Sequence, residues 1–167
     1  MSFSAFSDLP DEARLWVFAF AKPLGPDDRK TIERQLGAFL PHWASHQLPV
    51  EGAFAFLHDR FVLVAGHCPG GLSGCSMDSC MANFKQLKLA HNLDALNGAL
   101  VHYRSRSGEI ESVDRATFQK RLDSGQISAE SPVFDTTLQT LGQLRSGALE
   151  TPLESAWHAR AFRIPVS

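Results

Sequence analysis

Residues 70–84, GGLSGCSMDSCMANF, contain the residue types in this chain that are best suited to chemistry. Glycines, serines, two cysteines and an aspartate stand directly before a segment with helical periodicity. If the helix begins near Ser76, the backbone amides of its first turn have no partner inside the helix. Such amides, with the helix dipole, can hold a phosphate or a carboxylate, and glycines let a ligand approach closely. We therefore predict a ligand site at this helix start.

Three interpretations of this helix start stay open. In the first, a small anionic ligand binds there, although Asp78 already balances part of the dipole. In the second, Cys75 is a nucleophile, because a helix N-terminus lowers a thiol pKa and favours the reactive thiolate. In the third, Ser76 only caps the helix and the glycines only turn the chain. The predicted ligand-binding residues are Ser73, Gly74, Cys75, Ser76 and Ser79.

The tail segment SAWHARAF, residues 155–162, supplies groups that can complete the site. His158 can act as the base for Cys75, and Arg160 can hold an oxyanion or a carboxylate. Both roles require the tail to fold over the helix start. In the alternative, Trp157 docks the tail and both His158 and Arg160 stay in solvent.

Metal and cofactor motifs are missing from the sequence. It contains neither a GxGxxG pattern nor a phosphate loop with its Gly-Lys pair. His42 and His46 have helical spacing, but Trp43 stands where the zinc-protease motif requires glutamate. The cysteines, at positions 68, 75 and 80, match neither zinc-ribbon pairs nor a disulfide framework. We predict no metal, no cofactor and free thiols.

Composition narrows the class of partner. The chain has 167 residues, 44% of them hydrophobic, and a formal net charge of −2. This composition can form a core, while nucleic-acid binders usually carry a basic excess. Apolar runs such as residues 61–65 are too short to span a bilayer, and the N-terminus lacks a secretory signal pattern. We expect a cytoplasmic protein that binds neither nucleic acid nor a membrane.

Hydrophobic patterning predicts an α+β protein. The predicted elements are a strand at 13–20, a helix from Pro26, a hairpin around His58 and Asp59, a helix at 76–91 and a strand at 99–103. Pro41 is predicted to kink the first helix rather than end it. The order strand, helix, strand, strand, helix, strand is typical of the ferredoxin-like, split βαβ fold. Because such sheets often pair across their open face, a homodimer stays open.

Residues 12–103 are predicted to form this ferredoxin-like core, and residues 104–167 a small α+β extension packed on it. In the extension, GEIESV indicates an edge strand and SPVFD a second short strand. Asp114 is predicted to cap a short helix that Gly125 ends. TTLQTLGQLRSG indicates another short helix.

Three separated motifs resemble a known family. SGCSMDS, VFDTTLQTLGQL and TPLESAWHARAF together resemble a group of small uncharacterised bacterial proteins that often carry the label "ABC transporter ATPase". The resemblance covers most of the chain. The label implies nucleotide hydrolysis, but this sequence has no phosphate loop. The resemblance therefore implies only that the helix start and the tail motif form one paired feature of a bacterial protein.

Residues 100–135 also resemble the small GYF-type module, with its rhythm of strand, turn, short helix and closing strand. Members of that class bind proline-rich peptides through exposed aromatic residues. A protein-interaction module in the extension would present an exposed apolar patch around Tyr103, Phe118 and Phe134.

Three functions follow from these residues. The first is a non-catalytic ligand-binding, anion-binding or regulatory protein, with its pocket at the helix start and closed by His158 and Arg160. The second is an enzyme that uses Cys75 as nucleophile, His158 as base and backbone amides as oxyanion donors. The third is a protein-interaction module in the extension.

Overall fold

The computed structural model describes residues 3–166. The strands are β1 (Arg14–Ala19), β2 (Ala44–Ser45), β3 (Leu48–Pro49), β4 (Glu51–Leu57), β5 (Phe61–His67), β6 (Leu100–Arg104), β7 (Ile110–Asp114), β8 (Pro132–Phe134) and β9 (Glu150–Pro152). The helices are α1 (Pro26–Phe39), α2 (Gly74–His91), α3 (Arg115–Asp123), α4 (Leu141–Arg145) and α5 (His158–Ala161). The predicted α+β class is confirmed.

The first sheet is antiparallel, has the order β1-β5-β4, and carries a hydrophobic core on each face. Alternate side chains of a strand point to opposite faces, so β5 is buried on both sides. The first core joins β1 and β5 to the N-terminal turn and to the chain around α4; it includes Phe6, Leu15, Leu63, Phe134 and Leu144. The second core joins the other face to α1 and α2; it includes Phe18, Ile32, Leu36, Val64 and Phe84.

The fourth predicted strand, β6, lies in a different sheet. It pairs with β7 and β8 in a four-stranded antiparallel sheet of order β7-β6-β8-β9. The order β1-β5-β4 agrees with three strands of a ferredoxin-like sheet, but the complete ferredoxin-like topology is not confirmed. Periodicity identifies a strand without specifying its partner, and β6 finds its partners in the C-terminal part of the chain.

The position beside β1 is filled only at one end, by residues 139–141. The Leu15 amide donates to the Gln139 carbonyl at 2.9 Å, and the Leu141 amide donates to the Ala13 carbonyl at 3.0 Å. The predicted boundary between residues 103 and 104 falls inside β6, and the first core draws on both parts of the chain. The division into two domains stays a prediction.

Arg60 connects the two sheets and is 7% exposed. Its guanidinium donates to the carbonyls of Phe20 at 3.2 Å, Ala21 at 2.8 Å and Ile110 at 2.8 Å. It also donates to the Ser112 hydroxyl at 2.6 Å. Burial lowers the pKa of Arg60, and Glu111 acts in the opposite direction. The buried cation is tolerated because its donors have acceptors.

The predicted hairpin joins β4 and β5, but the connection has three residues, 58–60, instead of two. His58 and Asp59 have φ of 54° and 52°, the left-handed values that a type I′ turn requires at both central positions. The Asp59 carboxylate pairs with Arg29, and its carbonyl accepts from the Leu24 amide at 2.6 Å. These contacts hold a turn that lacks the usual glycine.

Pro41 does not kink α1. The α-helix ends at Phe39 and a single 3-10 turn, Leu40–His42, follows. Trp43 therefore leaves the helix and packs on the first sheet, where it is almost completely buried. His46 lies in the turn between β2 and β3 with φ of 50°, so it does not share a helical face with His42.

The short elements of the extension match their predictions. β7 is an edge strand of the second sheet, and β8 and α4 are present. Asp114 caps α3 by accepting from the Thr117 amide at 2.7 Å, and Gly125 has φ of 77° after the helix. The prediction of an exposed apolar patch around Tyr103, Phe118 and Phe134 is wrong. Each of its three side chains is buried, because Tyr103 and Phe118 form the core of the second sheet while Phe134 joins the first core.

Candidate functional site

Ser73 caps the start of α2, and the first helical residue lies two positions before the predicted Ser76. The helix begins at Gly74, and the Ser73 hydroxyl accepts from the Ser76 amide at 3.1 Å. Ser76 is not the cap; it lies inside the first turn, is 1% exposed, and donates its hydroxyl to the Ser73 carbonyl at 2.7 Å. Ser73 and Ser76 thus supply each other's hydrogen-bond partners.

The same helix start is attached to the body of the protein through polar contacts. The Trp43 indole donates to the Ser76 carbonyl at 2.9 Å, and the Ser73 amide donates to the Ser45 hydroxyl at 2.9 Å. The Ser79 hydroxyl donates to the Cys75 carbonyl at 2.9 Å. The three predicted serine ligands thus use their hydroxyls in local bonds, which fits a structural role for them.

The three cysteines are free thiols and differ in exposure. Cys75 is exposed, whereas Cys68 and Cys80 are buried. Burial raises the pKa of Cys80 to about 12, with Arg14 acting in the opposite direction. A buried neutral thiol behaves as a small apolar side chain, so Cys75 is the cysteine with access to reagents.

The tail is docked through His158 more than through Trp157. His158 is 3% exposed and stacks on Trp157, which is 40% exposed and donates to Asp135 at 3.1 Å. Burial is the main reason that the pKa of His158 is lowered to about 4, with Asp135 acting to raise it and Arg115 to lower it. The His158 Nδ1 atom is buried without a hydrogen-bond partner among the described residues. The expectation of a solvated His158 is wrong, while Arg160 is exposed.

The helix start and the tail have separate sets of partners. Ser73 and Ser76 bond to Ser45 and Trp43, whereas the tail segment bonds and stacks around Asp135. Within residues 3–166, no hydrogen bond joins the two sets. Their pairing, the closing role of Arg160 and the role of His158 as base for Cys75 stay predictions.

A cleft that the sequence does not reveal lies between the two sheets. Its volume is about 400 Å³, within the usual range for ligand pockets. We call it the inter-sheet cleft and define it by Arg14, Trp16, Met81, Leu96, His102 and Thr137. These residues come from β1, α2, β6 and two loops. They are widely separated in the chain, so no local motif marks them.

Arg14 is the cation of the inter-sheet cleft. Its guanidinium lies 5.1 Å from the centroid of the Trp16 ring, and Nη1 is 3.4 Å from the Gln139 carbonyl. The Nε atom is buried and has no hydrogen-bond partner among the described residues. No carboxylate in residues 3–166 forms an ion pair with Arg14. A charged group with an unused donor in a cleft favours an external acceptor.

His102 is another polar group of the cleft, and its lowered pKa leaves it neutral at pH 7. Its Nδ1 atom lies 2.7 Å from the Ser112 hydroxyl, which already accepts from Arg60. The Ser112 hydroxyl can then donate its proton to Nδ1. Because Nδ1 accepts this hydrogen bond, the proton of the neutral ring is assigned to Nε2. Burial, with smaller contributions from the nearby Arg60 and His158, lowers the pKa of His102 to about 4. In the sequence, the available sign of this site was a polar residue, His102, within the otherwise apolar start of β6.

The described residues contain neither a metal-binding cluster nor a membrane-spanning helix. No group of three or more histidine, cysteine, aspartate or glutamate side chains is arranged to hold a metal ion. None of the described helices combines the length and the apolar character needed to cross a membrane. Comparison of the chain with protein-family models, with curated proteins and with solved structures finds no match.

Proposed function

We propose that this protein binds a small anionic ligand without catalysing its conversion, and that the ligand lies in the inter-sheet cleft. The observation that carries the proposal is Arg14, a cation that lines the cleft without a carboxylate partner among the described residues. Its buried Nε has no acceptor. A carboxylate or phosphate in the cleft would balance the charge of Arg14, and a planar guanidinium can bind either group through two parallel hydrogen bonds.

The rest of the cleft supports binding more than catalysis. Trp16, Met81 and Leu96 offer apolar surface beside the cation, a combination typical of ligand sites. His102 has a pKa of about 4 because of its burial, so it would be a weak base at neutral pH. Its protonated nitrogen can donate to a bound acceptor instead.

The helix start is the competing location for the same ligand class. Gly74 has open space where a side chain would stand, and Cys75 is exposed. An anion bound there would contact backbone amides rather than a guanidinium. The two locations respond to different substitutions.

The test is calorimetric titration with inorganic phosphate, succinate and a nucleoside monophosphate. Arg14→Gln should weaken binding about tenfold or more, because a charge-assisted hydrogen bond is lost. Arg34→Gln, which removes an exposed charge on α1, is the matched control and should bind normally. Cys75→Asp places a repelling charge at the helix start and should leave cleft binding intact. Loss of binding in Cys75→Asp alone would move the site to α2, and no binding of any probe would contradict the proposal.

A further inference from the structure

The outer edge of β1 has backbone groups that face the inter-sheet cleft. The Phe20 amide donates to the Arg60 carbonyl at 2.9 Å, on the side of β5, whereas the Leu15 amide donates outward to Gln139. Since consecutive residues of an antiparallel strand bond to opposite sides, the amides and carbonyls of Val17 and Ala19 point outward as Leu15 does. No hydrogen bond from the described residues reaches them.

Residues 139–141 pair with the start of this edge, and the residues before them do not continue the pairing. Residues 139–141 pair antiparallel with the start of β1, with Arg14 opposite Thr140. The Thr137 amide and hydroxyl bond to the Asp135 carboxylate, and residues 135–138 form no backbone hydrogen bond with β1. The space beside Val17 and Ala19 is therefore the cleft, and both residues line it.

An edge of this kind is suited to another backbone. The outward groups of Val17 and Ala19 are two residues apart along the strand, about 6.6 Å. A compact anion cannot reach both sets of groups and Arg14 together, whereas an extended peptide bonds to alternate residues at this spacing. An exposed strand edge is a template for such pairing.

The positive charge of the cleft indicates which group of a peptide would bind there. Arg14 is the cation of the lining, and none of the described lining residues is an aspartate or a glutamate. A peptide that follows the direction of residues 139–141 runs from Ala19 towards Leu15. Gln139 blocks its continuation beside Leu15, so the peptide must stop there, next to Arg14. A C-terminal carboxylate is the group that ends a peptide with a negative charge.

We propose that the inter-sheet cleft binds the C-terminal residues of a partner protein, which add to β1 as an antiparallel strand. The peptide's backbone pairs with Val17 and Ala19, and its terminal carboxylate binds Arg14. Apolar side chains near the end of the peptide contact Trp16, Met81 and Leu96. This inference rests on the proposed function, since it identifies the anion as a peptide carboxylate.

The probe is a library of random heptapeptides with free C-termini, selected on the full chain, followed by titration of the best binder. The same peptide amidated at its C-terminus should bind about tenfold or more weakly, and Arg14→Gln should lose binding to a similar extent. Arg34→Gln should bind as the wild type does. On binding, the amides of Val17 and Ala19 should become protected from hydrogen exchange, measured by NMR, while Gly37, on the exposed face of α1, should not change.

Each outcome decides between the two proposals. If small anions bind but the library yields no binder, the peptide proposal is wrong and the proposed function remains. If a peptide binds and its amidated form binds equally well, the carboxylate assignment is wrong. If Val17 and Ala19 exchange at the same rate with and without the peptide, strand addition is wrong. Failure of every anion and every peptide would remove both proposals.

Ala19→Pro provides a second test of strand addition. Proline lacks the outward amide and is tolerated on a strand edge whose N–H faces away from the sheet. The variant should stay folded by circular dichroism but bind the selected peptide several-fold more weakly, by about the value of one hydrogen bond. Equal peptide affinity in a folded Ala19→Pro protein would contradict pairing at this residue.

Discussion

Trp43 lies directly over Gly66, so that a Cβ atom placed on Gly66 would approach the Trp43 Cη2 atom to 2.5 Å. A second glycine of the first sheet, Gly52, would bring a Cβ to 2.8 Å from the same ring. The indole therefore packs on backbone, and its Nε1 atom donates to Ser76 at the start of α2. The ring connects β4, β5 and α2.

Gly66→Ala should destabilise the protein by about 1–3 kcal/mol, since the added methyl overpacks a buried contact. Gly37→Ala is the matched control. Gly37 lies in α1 with open space around it, and alanine there should stabilise by about 0.4–1 kcal/mol. Urea denaturation measures both changes. Equal stability of the Gly66→Ala and wild-type proteins would show that Trp43 moves aside without loss.

Arg60→Met should destabilise the protein by at least about 2 kcal/mol. The substitution keeps much of the buried stem but leaves the carbonyls of Phe20, Ala21 and Ile110 without their donor. Arg34→Met, at an exposed position of α1, should change stability little. Chemical denaturation with two spectroscopic probes checks the result. A loss no larger than that of the control would argue that water replaces the guanidinium.

Stability should fall as the pH drops from 6.5 towards 4. His102 and His158 have folded pKa values of about 4 because of burial, below the ordinary value of 6.5. In this window the unfolded state binds more protons, so each histidine favours unfolding by up to about 1.4 kcal/mol per pH unit. Their contribution is complete above pH 6.5.

The measurement is urea denaturation at several pH values for the wild type, His158→Phe and His102→Gln. Each variant should show a shallower dependence between pH 6.5 and 4.5, because one titrating group is removed. Carboxylates contribute equally in all three proteins, so the difference in slope isolates the histidine. Identical slopes in all three would mean that neither ring is protected from protonation.

Cys75 should react with iodoacetamide in the folded protein, while Cys68 and Cys80 should react only after unfolding. Peptide mass spectrometry after timed labelling distinguishes the three sites. Comparable rates at Cys75 and Cys80 would indicate that α2 opens readily. If Cys75 also reacts quickly well below pH 8.5, the enzyme interpretation gains support and His158→Phe becomes its next test.

Local patterns identified the elements, because each is encoded by nearby residues. The apolar run after Arg14 predicted β1, and the capping chemistry of Asp114 predicted the start of α3. The cap of α2 was misplaced because Ser73 and Ser76 are both good caps, and only the hydrogen bond from the Ser76 amide distinguishes them. The partner of β6 was not encoded locally, since antiparallel strands of similar composition can pair in many ways.

The candidate site was harder to predict for the same reason. The sequence predicted a site at the start of α2 because the glycines, serines and cysteines there are contiguous. In the structure the serine hydroxyls bond to the same helix start. The inter-sheet cleft combines Arg14 with Thr137, which are more than a hundred positions apart. Its signals in the sequence were single polar residues, Arg14 and His102, next to apolar strand residues. Only the tertiary arrangement gives these residues a common environment.

The pairing of β1 with residues 139–141 has a consequence for biosynthesis. The first strand emerges from the ribosome long before Gln139 and Leu141, so this edge stays uncovered until most of the chain has been made. Contacts between distant segments form slowly because closing a long loop costs entropy. The nascent chain thus presents an incomplete first core, and the last quarter of the sequence is needed to close it.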